Sequence, residues 1–486
     1  MVRDILITNN LSGKKEPLIT VDKGRVKMYA CGVTTYDHCH IGHAMQAIFF
    51  EVIRNYLEFA GYHVTYVRNY TDVDDKIIKR AEEQGINPKT LAEAIIESSK
   101  SDMEALGIRP ADHEPKVSET IDEIIKMTQT LVEKGAAYPT PGGDVYYKVK
   151  SKNDYGKLSN RDPKELRSGT REIIEDGKQD SIDFALWKKD STPGASWESP
   201  WGLGRPGWHI ECSAMAKKFL GSEFDIHGGG RDLIFPHHEN EIAQSESANS
   251  CNYARNWIHS GLLTINKQKM SKSLGNHISI KEFLNKWPGE VLKLAYLQHH
   301  YSSNIDFSQK VFQNCAKRLL FFYETMKTLE QIASKSSIQG SLLEKYPNRL
   351  EEEFHTSMSN DFGTPAALRD IIKYFKKAGE LGSEKKSPQK NFTAKSYLTT
   401  LKKVCGVLGI MQREPEAFID ELKSKVLPTL GITETEIQAM ITRRKEARAN
   451  KNFAESDAIR EELAAKGVAI MDTPGGTSWK LVFIEE

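Results

Sequence analysis

The run from Met28 to Asp75 constrains the fold more than any other part of the chain. Val26 to Cys31 is apolar and β-prone, the pattern of a buried strand. From Met45 the apolar residues fall at Met45, Ile48, Phe49, Val52, Ile53, Tyr56, Leu57 and Ala60, with Gln46, Glu51, Arg54, Asn55 and Glu58 between them. That spacing predicts an amphipathic helix whose polar residues form a wet face, stopped near Gly61. A second apolar strand, Val64 to Asn69, follows. Strand, helix, strand at this length is a βαβ unit, which implies a parallel sheet and a right-handed crossover.

Ligands of such sheets bind beyond the carboxyl ends of the strands, where helix N-termini point amide hydrogens outward. His40-Ile41-Gly42-His43 sits at that place. Its spacing of three puts both imidazoles on one side of the first turn. Gly42 leaves room for a flat group or a phosphate to touch backbone, and the helix dipole favours an anion. Two histidines there can donate hydrogen bonds to charge developing on a transferring phosphoryl group. Taken alone, the four residues are better described as two capping or exposed histidines.

A second motif changes that balance. Lys269-Met270-Ser271-Lys272-Ser273-Leu274-Gly275-Asn276 sets two ammonium groups three residues apart among small residues. Such a cationic clamp suits a triphosphate whose pyrophosphate must leave; the competing description is a solvated surface loop.

The rest of the chain organises around this pair. Its 486 residues predict several domains. A net charge of +1 confines any nucleic-acid contact to local patches. There is no apolar run of membrane-spanning length and no apolar signal core at the start. Six cysteines without framework spacing point to a reducing, cytoplasmic setting. Asp72, Asp74 and Asp75 precede an apolar pattern, and most of them read as caps rather than metal ligands. Helical patterns continue to about Lys134. Pro139 to Trp201, with turn signals, short β-like pieces and a charged stretch from Asp162 to Asp180, reads as an insertion. Beyond Phe307 the pattern is helical to about Met411, a bundle, with Gly379 to Ser396 expected as a loop.

The expected fold is α/β: a Rossmann-like parallel-sheet catalytic domain with an insertion, then a helical bundle and a small C-terminal α+β tail. The expected boundaries are 1–137 and 204–265 for the two catalytic halves, 138–203 for the insertion, 266–308 for the lysine-loop junction, 309–415 for the bundle and 416–486 for the tail.

A metal site is a further candidate. Cys31 lies at a strand end, Cys212 follows a Gly/Pro/Trp turn, and His237 and Glu241 are four apart on a predicted helix from His237 to Ser247, so both face one way. Zinc accepts such a mixture. On composition His238, Cys39 and Glu239 are rival ligands, and an isolated cysteine is commonly a small buried hydrophobe.

The two motifs, together with Cys31-Gly32 leading into Thr34-Thr35-Tyr36-Asp37, Gly204 to Ser213, Phe235 to Glu241, Phe453 to Asp457 and Asp472 to Trp479, resemble the cysteinyl-tRNA synthetase family of class I aminoacyl-tRNA synthetases over nearly the whole chain. The resemblance implies one zinc ion per chain on Cys31, Cys212, His237 and Glu241, holding the substrate thiolate. It implies Mg2+ with ATP, attack of the L-cysteine carboxylate on the α-phosphate, and transfer of the acyl group to the 2′-hydroxyl of the terminal adenosine of tRNA(Cys). His40 and His43 would stabilise charge on the phosphate, and Lys269 and Lys272 would hold the pyrophosphate. Gly32, Thr34, Thr71, Trp208 and Asp232 would line the amino-acid and nucleotide pocket. Arg443, Arg444, Arg448 and Trp479 would meet the anticodon arm, although a charge run also describes a solvated face and Trp479 a core residue. A monomer without a separate editing domain is expected.

Two positions depart from the family pattern: Met45 stands where an Arg is usual, and Asn160 where glycine is common. Two other readings fit parts of the chain. One is a cysteinyl-adenylate-forming ligase with an amino-sugar acceptor. The other is a non-catalytic zinc-stabilised RNA-binding protein.

Overall fold

The computed structural model describes residues 2–162, 177–270, 275–334, 342, 347–473 and 476–483. At its centre is a four-stranded parallel sheet in the order Ala254–Ser260, Phe224–Gly230, Arg25–Thr34, His63–Thr71. The first strand in sequence pairs with the second on one side and the third on the other. The sheet therefore reverses its winding direction between Arg25–Thr34 and Phe224–Gly230, and the crevice beyond those two strand ends is where ligands of such sheets bind.

Strand periodicity decides which side chain faces which layer. Val26, Met28 and Ala30 pack with the Ile41–Phe59 helix. Tyr29 and Cys31 point the other way, into the layer of the Trp208–Leu220 and Glu239–Asn249 helices. The ladder slips between Ala30 and Val33. Gly32 sits inside that bulge because a Cβ there would lie 1.6 Å from the Asn69 carbonyl oxygen. A bulge re-aims neighbouring side chains, here Cys31. Gly32→Ala must displace one strand from the other. The expected result is at least about a tenfold loss of metal affinity and activity, checked by metal content per folded chain.

The polar face of the Ile41–Phe59 helix is less wet than its pattern predicts. Glu51 and Arg54 are buried, because the 106–114 segment lies over them. Arg54 donates to the Pro110 carbonyl at 2.7 Å and pairs with Asp112 at 2.8 Å, while Arg109 reaches Glu51 at 3.3 Å. Asp74, as expected, caps the Asp75–Gln84 helix.

The insertion is more ordered than expected. It forms an antiparallel sheet of Ala137–Pro139, Val145–Tyr147, Phe184–Lys189 and Gly204–Pro206. Most of the charged stretch, residues 163–176, lies outside the described residues. Asn160 takes a left-handed φ of 55°, a conformation that Asn tolerates and glycine adopts freely.

The bundle comprises the Gln309–Ala333, Pro347–Met358, Thr364–Glu380, Pro388–Val407 and Pro415–Val426 helices. The expected loop from Gly379 to Ser396 shrinks to a short turn. Ser387 caps the next helix, Pro388 fills its first turn, and buried Lys390 donates to the Gly382 and Glu384 carbonyls. The tail adds the Glu434–Ala449 and Phe453–Ala465 helices and a hairpin of Val468–Thr473 with Gly476–Leu481. All six cysteines are unpaired. Among the described residues no helix is long and apolar enough to cross a membrane.

Candidate active site

Beyond the strand ends lies a cavity of about 400 Å³. Its walls carry Cys31, Gly32, Thr34, His40, Gly42, His43, Thr71, Trp208, Cys212, Asp232 and His237. Residues spread over 207 positions of sequence thus meet in one crevice. Glu241 lies beneath the floor, fully buried.

His40 is the N-cap of the Ile41–Phe59 helix. Its Nδ1 accepts from the Gly42 amide at 3.0 Å and the His43 amide at 3.4 Å. His43 Nδ1 accepts from the His40 amide at 3.3 Å. Backbone donors on both Nδ1 atoms put the ring proton on Nε2 in each case. The rings stack 3.8 Å apart. Burial, then mutual repulsion with His43 and His277, lowers the His40 pKa to about 3; burial, then His277, lowers His43 to about 4. Both are neutral near pH 7, so they serve as N–H donors and not as cations.

The two motifs are in contact. The Ile41 amide donates to the Ile278 carbonyl at 3.0 Å, and the Ile280 amide to the Cys39 carbonyl at 3.1 Å. Met270 approaches within 3.4 Å of where a Gly42 Cβ would be. Lys269 ends a short strand paired with Thr264; Lys272 lies outside the described residues. Met45, at the position where an Arg is usual, is buried in the core.

Behind the histidines is a ligating cluster. One donor atom each of Cys31, Cys212, His237 and Glu241 lies within 4.8 Å of all the others. The two sulfurs are 3.7 Å apart, Cys31 Sγ is 3.6 Å from Glu241 Oε1, and His237 Nε2 is 3.1 Å from the same oxygen. The helix begins at Glu239, later than its pattern predicts, after a turn over Ile234–His238. His237 and Glu241 still converge.

A second set, Cys31, His227, His238 and Glu241, is equally compact. Only the first set has three members on the cavity wall, so only it can present an ion to a bound molecule. Two soft sulfurs, an imidazole and a carboxylate fit a tetrahedral metal ion. Of the rival ligands, Cys39 bonds Ser99 and Glu239 accepts amides of the 156–159 loop. Burial, with Cys212 and Glu241 nearby, pushes the Cys31 thiol up. Burial opposes ionisation of Glu241, but His227 and His237 outweigh it and hold its pKa down.

Supporting groups that spacing alone did not reveal orient the cluster. His227 Nε2 and Tyr253 OH each lie 2.9 Å from Glu241 Oε2. His209 Nδ1 is 3.0 Å from His237 Nδ1, and Trp208 stacks on the His237 ring at 4.3 Å. A signal existed: His209, His227, His237, His238 and His259 are five of the fourteen histidines, crowded into about a tenth of the chain. Thr71 donates to buried Glu211 at 3.2 Å. Asp232 sits exposed at the lip, and Tyr36 and Lys76 join it at the mouth.

The tail residues fare unevenly. Arg444 turns inward and holds Asp472 through two bonds of 2.9 Å, so it locks helix to hairpin rather than facing solvent. Arg448 also reaches Asp472, at 2.7 Å, but is half exposed, and Arg443 is exposed. Trp479 packs partly against the bundle under Lys423. Phe453 is the most exposed aromatic residue of the tail, at 61%.

Buried neutral histidines set an acid limit on stability. The ordinary histidine pKa is about 6.5, whereas His40, His43 and His259 sit at about 3, 4 and 3, in each case chiefly through burial. Between pH 6.5 and 4 the unfolded chain takes up protons that the folded chain refuses, so stability falls as pH falls. The denaturation midpoint is expected to drop over that window, and less steeply in a His40→Asn, His43→Asn variant. Equal slopes would remove these groups from the account.

The parallel sheet and the histidine turn, with Met270 of the lysine motif against it, form the catalytic core of a class I aminoacyl-tRNA synthetase. The profile of the tRNA synthetases class I (C) catalytic domain matches residues 17–317, and that of the cysteinyl-tRNA ligase anticodon binding domain matches 433–479. The chain belongs to the cysteine--tRNA ligase family. It is 45% identical to the cysteine--tRNA ligase of Desulfotalea psychrophila over 98% of this chain and 99% of that one. It is 46% identical to that of Geobacter metallireducens over the same shares. Its fold is similar to Mycobacterium tuberculosis methionyl-tRNA synthetase in complex with methionyl-adenylate, with a TM-score of 0.57 at 14% identity, covering 85% of this chain and 95% of that one.

Proposed function

We infer that this enzyme activates L-cysteine with ATP and passes the cysteinyl group to tRNA(Cys). The observation that carries this is one cavity walled by both the neutral His40/His43 donor pair and Cys31, Cys212 and His237, with Glu241 of the same cluster beneath its floor. The first serves phosphoryl chemistry, the second a thiol. ATP with Mg2+ lies over Gly42, with Asp232 at its edge and Lys269 and Lys272 on the departing pyrophosphate. The His40 and His43 Nε2–H groups donate to the α-phosphate as charge builds. Thr34, Thr71 and Trp208 enclose the amino acid. Zinc, when bound by the four ligands, supplies a soft centre that favours a thiolate and lowers its pKa. Size alone separates small side chains weakly, so this distinguishes cysteine from serine without an editing domain. The edge formed by exposed Arg443, half-exposed Arg448 and half-buried Trp479 meets the anticodon arm. The enzyme acts as a cytoplasmic monomer.

The test is exchange of labelled pyrophosphate into ATP with each of the twenty amino acids, with and without a zinc chelator. Exchange with cysteine alone, lost on chelation, is expected. Equal exchange with serine breaks the thiolate account, and no exchange from folded protein breaks the enzyme reading. The matching tail favours tRNA over an amino sugar as acceptor, and charging assays with each decide it.

A further inference from the structure

The Gly289–Leu297 helix lies between the catalytic sheet domain and the bundle, and one side chain from each of three successive turns leaves it in a different direction. Tyr296 OH donates to the Ile41 carbonyl, inside the histidine turn, at 2.6 Å. Lys293 Nζ donates to the Gly107 carbonyl of the catalytic domain at 2.8 Å and to the Gly409 carbonyl of the bundle at 3.1 Å. Glu290 accepts from the Met411 amide at 3.0 Å and from Tyr323 OH at 2.8 Å, both in the bundle.

Lys293 is 2% exposed, and no described carboxylate lies within ion-pair distance of it. Burying an ammonium whose direct bonds go to two carbonyls is costly, although the Glu51 and Glu290 carboxylates nearby offset part of that cost. An apolar side chain of similar length would join the two domains at less cost, so stability does not explain the lysine. Its two acceptors, on different domains, do: each carbonyl takes one of the ammonium's N–H groups, and both bonds form only when the two domains are in register.

We propose that Lys293 is a positioning residue that sets the register between the tRNA-bearing bundle and the histidine turn, acting through the same helix that holds Ile41. This rests on the reading of the chain as a tRNA-charging enzyme. The bundle and tail hold the tRNA, the turn holds the reacting phosphate and the adenylate, and the helix ties one to the other. Acyl transfer needs this register; adenylate formation, which involves no tRNA, does not.

The test uses the full-length enzyme and Lys293→Met, which keeps the length of the stem. Cysteine-dependent pyrophosphate exchange is expected to stay within about twofold of the parent, which also shows that the catalytic domain is folded. Single-turnover transfer from preformed adenylate to saturating tRNA(Cys) is expected to slow at least about tenfold, with the tRNA KM within about threefold. Tyr296→Phe is combined with it in a double-mutant cycle, and the two effects on transfer are expected to be non-additive. Unchanged transfer, equal loss of exchange and transfer, a rise in tRNA KM alone, or additive effects would each overturn the proposal. A parent enzyme with no cysteine-dependent exchange overturns instead the function on which it rests.

Discussion

Cys212→Ser is expected to leave a folded protein that retains little zinc and loses cysteine-dependent exchange by at least about a hundredfold. Removing groups that merely support metal ligands commonly costs about 10- to 100-fold, and Cys212 is proposed as a ligand itself. Serine is nearly isosteric, and Cys212 is 2% exposed within a packed helix, so the fold survives the change. What changes is the donor: a thiolate is available to a metal near neutral pH and an alkoxide is not. The remaining three donors stay close, with Glu241 held by His227 and Tyr253. Metal content by elemental analysis and exchange with cysteine against serine are the measurements. A variant with full zinc and full cysteine exchange would falsify the four-ligand assignment.

His40→Asn is expected to lower the rate of adenylate formation by about 10²- to 10³-fold, the cost of one donor aimed at developing charge. Asparagine is a good helix cap, so it can replace the bonds that His40 Nδ1 accepts from the Gly42 and His43 amides. It cannot place an N–H where Nε2 stands. The loss should fall on kcat, with the ATP KM little changed, because the interaction strengthens as charge builds. His43→Asn is expected to act in the same direction. With the pair at about 3 and 4, neither histidine should contribute a limb to the pH–rate profile between about pH 5.5 and 8. A limb near 6.5 that disappears in the variants would show that the imidazolium form matters and would reverse the assignment of neutral donors.

Local pattern carried much of this molecule. Strand and helix periodicity around Met28 to Asp75 is a property of consecutive residues, and a βαβ unit has a fixed hand, so the parallel sheet and the position of His40 and His43 could be read directly. Asn160 stands where glycine is common, and the left-handed φ it takes is one that both residue types adopt. Spacing also put His237 and Glu241 together, although the helix starts two residues later than its pattern predicts.

Other features depended on what packs over a residue, which periodicity does not encode. Glu51 and Arg54 look like a solvent face until the 106–114 segment covers them. Arg444 looks like part of a basic patch until Asp472, 28 residues on, turns it inward. The insertion's sheet joins strands far apart in sequence. His227, His238 and Cys39 differ from the proposed ligands in no local property. What separates them is the parity of a bulged strand and the crossing of helices, which bring Cys31, Cys212 and His237 onto the cavity wall. The sequence by itself determined the layers of the sheet domain and the identity of its motifs, because both follow from residue type and spacing. The tertiary structure alone decided which cysteines and histidines converge, which charges are buried and how the bundle meets the histidine turn, because those depend on distances between segments that the chain brings together only on folding.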